Sequence, residues 1–122
     1  MTNQINKKTI LITGGTGSFG RKFVEFSLKH FSPKKLIVFS RDELKQFEMS
    51  SMFSEAQHPC LRYFIGDVRD RDRLLRAFSG VDVIIHAAGT VGGIGANKEN
   101  PGKFMYENLV MGTNLIHKAM VN

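Results

Sequence analysis

The chain has 122 residues, 42% of them hydrophobic, and no low-complexity tract, so we expect one globular domain at most. Its formal charge of +6 comes from 17 Lys and Arg against 11 Asp and Glu, but interleaved acidic residues and the lack of stacking aromatics argue against nucleic acid and favour phosphorylated small molecules. Cys60 is the only cysteine, so an internal disulfide is excluded, and we expect no metal site. Residues 1–8 lack the apolar centre of a signal peptide, and the apolar segment 81–88 is too short to span a membrane. We therefore expect no membrane partner and a cytoplasmic location.

Four short apolar segments alternate with longer amphipathic ones, which is typical of βα units with a parallel sheet. The predicted strands are 9–13, 35–40, 61–65 and 81–87. The predicted helices are 18–31, expected to be mostly buried, 42–53, with Leu44 and Phe47 facing inward, 70–79, and a last one from Asn100 and Pro101 toward Asn122. Right-handed crossovers then predict a Rossmann-like, doubly wound α/β sheet with strand order 3-2-1-4.

A glycine-rich turn, TGGTGSFG, follows the first predicted strand and opens the first predicted helix. Gly14 permits a tight turn, Gly17 lets the backbone approach a phosphate, and Gly20 lets the helix lie close to the strand. An ordinary βα turn is the alternative, but the features below favour a dinucleotide pyrophosphate site. The candidate binding residues of this turn are Gly14, Thr16, Gly17, Ser18, Phe19 and Gly20.

The end of the second strand indicates the choice of cofactor. An acidic residue there would bind the ribose 2′-hydroxyl of NAD, whereas small and cationic residues suit the 2′-phosphate of NADP. Ser40 can donate to that phosphate, Arg41 can clamp it or stack on adenine, and Lys45 can add charge. We therefore predict NADP. Asp42 and Glu43 keep NAD open, because the predicted strand end can be wrong by two residues.

The third strand ends at Gly66, where the adenine ring is expected to lie. Asp67 can accept a hydrogen bond from the exocyclic amine, and Val68 can pack on the ring. Asp67 could instead cap the helix that begins near Asp70.

The fourth strand ends in small residues. Ala87, Ala88 and Gly89 would let the backbone approach a ribose or nicotinamide. His86 lies within the predicted strand, so we expect a buried, hydrogen-bonded histidine and not a catalyst. Asn108 on the last predicted helix could tie that helix to the strand beneath the nicotinamide.

A dinucleotide domain of this kind ordinarily continues beyond its fourth strand. We therefore expect residues 1–122 to be the N-terminal cofactor-binding portion of such a domain, truncated after the fourth strand and helix and without a substrate domain. The apolar edge of the fourth strand would otherwise be covered by a partner, and we expect a homo-oligomer.

Several segments resemble one enzyme superfamily. ILITGGTGSFG, FSRDELKQFEM, RYFIGDVRDRDRL and DVIIHAA, all between Ile10 and Ala88, are similar to extended short-chain dehydrogenase/reductases, and most of all to inverting UDP-N-acetylglucosamine 4,6-dehydratases of bacterial polysaccharide and flagellin-sugar biosynthesis. The resemblance implies a nucleotide-sugar substrate, and it implies that the Ser-Arg pair serves NADP. It supports the cofactor prediction made from the residues alone.

The resemblance changes after Ala88. Residues 89–122, with NPGKFMYENLVMGTNLI, are similar to GDP-fucose synthases, which are GDP-4-keto-6-deoxymannose epimerase-reductases, so the chain is a mosaic relative or two joined sequences. Both families share a catalytic Tyr-x-x-x-Lys, but here Tyr63 is followed four residues later by Asp67 and Tyr106 by Val110. No catalytic residue is therefore assigned, and the 122-residue chain by itself is expected to show no turnover.

The sequence thus predicts the NADP-binding portion of a nucleotide-sugar-modifying enzyme, most like a UDP-N-acetylglucosamine 4,6-dehydratase. A GDP-4-keto-6-deoxy-sugar epimerase-reductase is one alternative, supported by residues 90–116. A non-catalytic dinucleotide-binding module is another, supported by the missing Tyr-x-x-x-Lys.

Overall fold

The computed structural model describes residues 5–88 together with Ile116, Ala119 and Met120. Strands and helices alternate along residues 5–88. They are β1 Thr9–Thr13, α1 Ser18–His30, β2 Lys35–Ser40, α2 Glu43–Met52, β3 Leu61–Ile65, α3 Arg71–Ala77 and β4 Val83–His86. The predicted helix from Asn100 and Pro101 lies outside the described residues.

The strands form one parallel sheet in the order β3-β2-β1-β4, which confirms the predicted order. All residues of β1 are buried, as expected for a central strand covered on both faces. The register places Thr13 beside Phe39 on one side and His86 on the other, and Ser40 beside Ile65. The carboxyl ends of the strands therefore lie along one edge of the sheet, where doubly wound folds bind their ligands.

Different helices cover the two faces of the sheet, because successive side chains of a strand point to opposite sides. On one face, Ile10 of β1 shares a buried cluster with Val24 of α1 and Met49 of α2. On the other face, Leu11 shares a buried cluster with Leu74 of α3. This two-sided burial is that of a doubly wound α/β fold, as predicted.

The prediction that the first helix is mostly buried is wrong. Gly20, Val24 and Ser27 are the buried residues of α1, whereas Phe19 is 59% exposed and Phe26 is 53% exposed. A helix that lies on a sheet buries only the stripe facing the strands. Phe19 and Phe26 therefore stay on the outer surface of α1, whereas Phe23 is half-buried against the core.

The inward face of the second helix also differs from the prediction. Leu44 and Phe47 are 66% and 70% exposed, whereas Gln46 and Met49 are buried. The buried amide of Gln46 donates hydrogen bonds to the ends of β2 and β3, which holds α2 in this rotation. A polar anchor, and not the apolar stripe, decides which side of the helix faces the sheet.

The fourth strand is shorter at both ends than the predicted range 81–87. The Asp82 carboxylate accepts the backbone N–H of Thr9 at 2.9 Å, and the Asp82 N–H donates to the Thr9 carbonyl at 2.8 Å. Beyond His86, the Ala87 N–H donates to Thr13 through both its carbonyl and its hydroxyl oxygen. At each end of β4, a hydrogen bond that involves a side chain thus connects the chain to β1.

Candidate dinucleotide-binding site

A cavity of about 400 Å³ opens at the edge of the sheet formed by the carboxyl ends of the strands. It is lined by Gly14, Thr16, Gly17, Phe39, Ser40, Arg41, Asp42, Lys45, Gly66, Asp67, Val68, Ala87 and Ala88. All of these except Phe39, Asp42 and Gly66 are candidate cofactor-binding residues predicted from the sequence. The structure therefore brings segments from the ends of all four strands to one cavity.

Five candidate residues are not among those that line the cavity. Ser18, Phe19 and Gly20 do not line this cavity, and Gly89 and Asn108 lie outside the described residues. The Phe19 ring lies on a groove of about 460 Å³ along the outer side of α1. That groove is lined by residues of α1 and carries none of the other candidate residues.

Gly14 is required by the shape of the turn. Its φ of +64° is in the left-handed region, and a Cβ there would lie 2.8 Å from the backbone nitrogen of Ala88. The turn is closed by a hydrogen bond from the Gly17 N–H to the Gly14 carbonyl at 3.1 Å. The predicted role of Gly14 as the tight-turn glycine is thus matched by its geometry.

Gly17 is different, because the protein leaves room for a side chain there. A Cβ on Gly17 would meet, within 4 Å of the described residues, only the Gly14 carbonyl oxygen, at an ordinary 3.4 Å. The protein's own packing therefore does not demand glycine at this position. A molecule lying against the turn from the cavity side would demand it.

The N-terminus of α1 is open to an anion. Its cap residue, Gly17, offers no side-chain hydrogen bond, and the first turn holds no acidic residue. Among the described residues, the N–H groups of Ser18, Phe19 and Gly20 have no backbone or side-chain acceptor. Such amides, together with the partial positive charge of a helix N-terminus, suit a phosphate group. The three residues would act through backbone rather than side chain.

The end of β2 forms a cationic wall of the cavity. Ser40 is 7% exposed, and the Arg41 guanidinium lies 3.9 Å from the Asp67 carboxylate. Asp42 and Glu43 were the alternative acceptors for a ribose hydroxyl. The Asp42 carboxylate accepts the Lys45 backbone N–H at 3.0 Å and caps α2, and Glu43 is not among the residues that line the cavity. The helix thus engages one oxygen of Asp42, which lines the cavity together with Ser40, Arg41 and Lys45.

Asp67 is held by the loop that follows β3. Its carboxylate accepts both the backbone N–H of Arg69, at 2.9 Å, and the Arg69 guanidinium, at 2.7 Å from Nη2. The hydrogen bond from Arg69 is the main reason why the pKa of Asp67 lies below its usual value, and Arg41 adds to the effect. The alternative role of Asp67 as the cap of α3 is wrong, because Asp70 accepts the Arg73 N–H and caps that helix.

Thr13 ties the ends of β1 and β4 together, a role that the sequence reasoning missed. Its hydroxyl oxygen accepts the backbone N–H groups of Ala87 at 3.0 Å and Ala88 at 3.2 Å. The hydroxyl proton is therefore left for His86 Nδ1, 2.7 Å away, which places the ring proton on Nε2. Desolvation lowers the pKa of His86. The histidine is hydrogen-bonded as expected, but its side chain is exposed and not buried.

Tyr63 has a structural role. Its hydroxyl donates to the Phe53 carbonyl at 2.6 Å, and burial raises its pKa to about 12. Burial also raises the pKa of the Cys60 thiol. Within residues 5–88, 116, 119 and 120, no group of His, Cys, Asp and Glu side chains suits a metal ion, and no helix is long and apolar enough to cross a membrane.

Comparison with known proteins identifies a family and relatives to which this chain is similar. Residues 10–122 match the family described as "Polysaccharide biosynthesis protein". An inverting UDP-N-acetylglucosamine 4,6-dehydratase from Campylobacter jejuni is 60% identical over 83 residues, which cover 68% of this chain and 24% of that relative. This likeness confirms the resemblance to the dehydratases, while the resemblance of residues 89–122 to GDP-fucose synthases stays a prediction. The chain spans about a quarter of this relative's length.

Solved structures share the fold. Pen from Bacillus thuringiensis superposes with a TM-score of 0.83 at 32% identity, over 96% of this chain and 35% of that one. DesIV, a dTDP-glucose 4,6-dehydratase from Streptomyces venezuelae solved with NAD bound, superposes with a TM-score of 0.71 at 25% identity, over 91% of this chain and 35% of that one. These likenesses confirm the Rossmann-like fold, and the second structure binds a nicotinamide dinucleotide.

Proposed function

Because this chain belongs to the polysaccharide biosynthesis protein family, we propose that it is the NADP-binding portion of a nucleotide-sugar-modifying short-chain dehydrogenase/reductase, most like an inverting UDP-N-acetylglucosamine 4,6-dehydratase. The observation that carries the proposal is the cavity at the carboxyl edge of the sheet, which the glycine turn shares with Ser40, Arg41 and Lys45. The 60% identical relative supports the reaction class. Bound NADP would supply the hydride acceptor for sugar C4 and the hydride donor for C6.

The glycine turn and the N-terminus of α1 would hold the pyrophosphate. Gly17 leaves open space beside its Cα, and the following amides have no acceptor among the described residues. A pyrophosphate there would receive backbone hydrogen bonds without displacing a protein group. This fit explains a glycine that the packing of the chain itself does not require.

The end of β2 would hold the 2′-phosphate of the adenosine ribose. Arg41 and Lys45 supply positive charge, and Ser40 supplies a hydroxyl. The nearby Asp42 carboxylate accepts the Lys45 backbone N–H through Oδ1 as a helix cap, and two cations and a hydroxyl share this wall of the cavity with it. We therefore favour NADP over NAD, although the Streptomyces venezuelae relative was solved with NAD.

The remaining lining residues would position the adenine and the nicotinamide ends. Val68 is 6% exposed and faces the cavity beside Asp67, so an adenine ring could pack against it. At the other end, Thr13 fixes the backbone of Ala87 and Ala88 through its hydroxyl. Their small side chains would leave room for a ribose.

We assign no catalytic acid-base to residues 1–122. The sequence contains no Tyr-x-x-x-Lys, and the hydroxyl of Tyr63 is committed to the Phe53 carbonyl. The proposed role of these residues is therefore to bind and orient the cofactor, and that of the complete enzyme is to act on a nucleotide sugar. A cytoplasmic location and a homo-oligomer remain parts of this proposal.

Two glycine substitutions test the proposal. Gly17→Val should weaken NADP binding at least about 100-fold, since two lost hydrogen bonds to a charged group correspond to about 3 to 6 kcal/mol. The circular dichroism spectrum and melting temperature should stay close to those of the wild type, because a Cβ at this position would meet only the Gly14 carbonyl oxygen among the described residues, at 3.4 Å. Gly14→Ala is the contrast, and should lower the free energy of unfolding by about 1 to 3 kcal/mol because its φ is positive. Unchanged NADP affinity in Gly17→Val would refute a pyrophosphate at this turn.

A further inference from the structure

Gln46 is a buried polar residue on the side of α2 that faces the sheet. It is 5% exposed. Its side-chain NH₂ group has two protons and three acceptors within reach: the Ser40 hydroxyl oxygen at 2.9 Å, the Phe64 carbonyl at 3.0 Å and the Ser40 carbonyl at 3.2 Å, the longest of which shares a proton with one of the others. One amide thus bridges the ends of β2 and β3 at the wall of the cavity.

The surroundings fix the orientation of this amide. The carbonyl oxygens of Ser40 and Phe64 can only accept, so the NH₂ group of Gln46, and not its oxygen, must face them. The Ser40 hydroxyl oxygen lies on the same side of the amide and therefore accepts a hydrogen bond from Gln46. Ser40 is left with its own proton to donate.

In the part of the chain that the structure describes, the Ser40 hydroxyl makes one hydrogen bond, which it accepts from Gln46. Its own proton therefore has no acceptor among these residues. Ser40 lines the cavity next to Arg41 and Lys45. An oxygen placed in the cavity beside these cations would meet a hydroxyl that uses one of its two lone pairs for Gln46 and whose proton is free to be donated. A phosphate oxygen, which only accepts, matches that hydroxyl and gains a charge-assisted bond.

We infer that Gln46 is a positioning residue for cofactor selection: by donating to the Ser40 hydroxyl oxygen, it directs the Ser40 proton into the cavity toward an anionic oxygen on the ribose 2′ position. The inference rests on the proposed NADP-binding function. Gln46 itself does not line the cavity, so it acts through Ser40. Without Gln46, the Ser40 hydroxyl would be free to turn and donate to a nearby backbone carbonyl.

The test is a double-mutant cycle on the full chain. NADP and NAD affinities are measured by calorimetry for the wild type, Ser40→Ala, Gln46→Met and the double variant, with Gln57→Met as a control. Gln57 is exposed on the turn before β3 and receives the same chemical change. Gln46→Met should weaken NADP binding about 3- to 10-fold, the range for one hydrogen bond, and leave NAD binding nearly unchanged. In the Ser40→Ala background, Gln46→Met should not change the NADP-to-NAD ratio further.

The outcomes separate this inference from the function on which it rests. A wild-type chain with no preference for NADP would contradict the proposed function itself. A wild type that prefers NADP, with a preference lost in Ser40→Ala but kept in Gln46→Met, would overturn the inference alone. Equal effects of Gln46→Met in both backgrounds would also overturn it, because they would indicate general loosening of α2.

A measurement on the wild type does not depend on the fold of any variant. The side-chain amide protons of Gln46 should be protected from exchange with solvent in nuclear magnetic resonance spectra, because both are hydrogen-bonded and the residue is buried. They should stay protected when NADP is added. Rapid exchange, or loss of protection on binding, would show that Gln46 does not hold Ser40 in the bound state.

Discussion

Removal of the Arg41 guanidinium should reduce NADP binding selectively. In the free protein this group lies 3.9 Å from the Asp67 carboxylate and its side chain is 64% exposed. An exposed pair of this kind stabilises a fold by at most about 1 kcal/mol, so Arg41→Ala should leave the melting temperature nearly unchanged. A guanidinium that binds a phosphate contributes more, about 1 to 3 kcal/mol for a hydrogen bond to a charged group. We therefore expect NADP affinity to fall about 5- to 150-fold.

The assay is isothermal titration of wild type and Arg41→Ala with NADP and with NAD, at two salt concentrations. Arg76→Ala is the matched control, because Arg76 is an exposed arginine on α3 that does not line the cavity. NAD affinity should stay nearly unchanged, and the loss of NADP affinity should shrink at high salt because exposed charges are screened. Equal losses for both cofactors would refute the reasoning, since the guanidinium would then act on a part that NAD and NADP share.

Two further predictions concern the network around the cavity. Thr13→Val should lower the free energy of unfolding by about 1 to 3 kcal/mol, because it removes the hydroxyl that the Ala88 amide and the His86 ring use, while the Ala87 amide keeps the Thr13 carbonyl. Chemical denaturation should show a smaller loss for Thr9→Val on the same strand, and equal losses would contradict the role of the hydroxyl. For Asp67, the folded-state pKa is lowered, so its stabilising effect is present above the unfolded pKa and is lost as the pH falls through the folded value. The free energy of unfolding should therefore decline below about pH 4, and Asp67→Asn should flatten that decline.

The strands were predictable because each is a short, nearly continuous apolar run. The bounds of β1, β2 and β3 match the predicted ranges, because each run ends at a polar or glycine residue, and β1 and β2 are buried nearly throughout. Strand order followed from right-handed crossovers. The fourth strand begins later than predicted, because the Asp82 side chain, and not a backbone carbonyl, accepts the Thr9 N–H. The hydropathy pattern alone does not reveal this side-chain bond.

The rotation of the helices was not predictable from apolar spacing. In α2, two stripes compete: Leu44 and Phe47 form one, and Gln46 and Met49 form the other. The buried amide of Gln46 finds three acceptors at the strand ends, which outweighs the exposure of two apolar side chains. The available signal was the position of Gln46, three residues before Met49 on α2. A polar side chain there can reach the backbone carbonyls at the strand ends.

The candidate site was predictable as far as it depends on strand ends. Because parallel strands end at the same edge of the sheet, Gly14, Ser40, Asp67 and Ala87 were expected to meet, and they line one cavity. Side-chain pairing was not predictable. The engagement of Asp67 by Arg69 depends on loop geometry, and the bond between Thr13 and His86 joins residues 73 positions apart.

The most direct test of the central claim is an equilibrium titration of the wild-type chain with NADP and with NAD under identical conditions. If the cavity at the carboxyl edge of the sheet selects a 2′-phosphate through Ser40, Arg41 and Lys45, NADP should bind at least about 10-fold more tightly, which corresponds to one charge-assisted hydrogen bond. Equal affinities, tighter binding of NAD, or no binding of either dinucleotide would contradict the account.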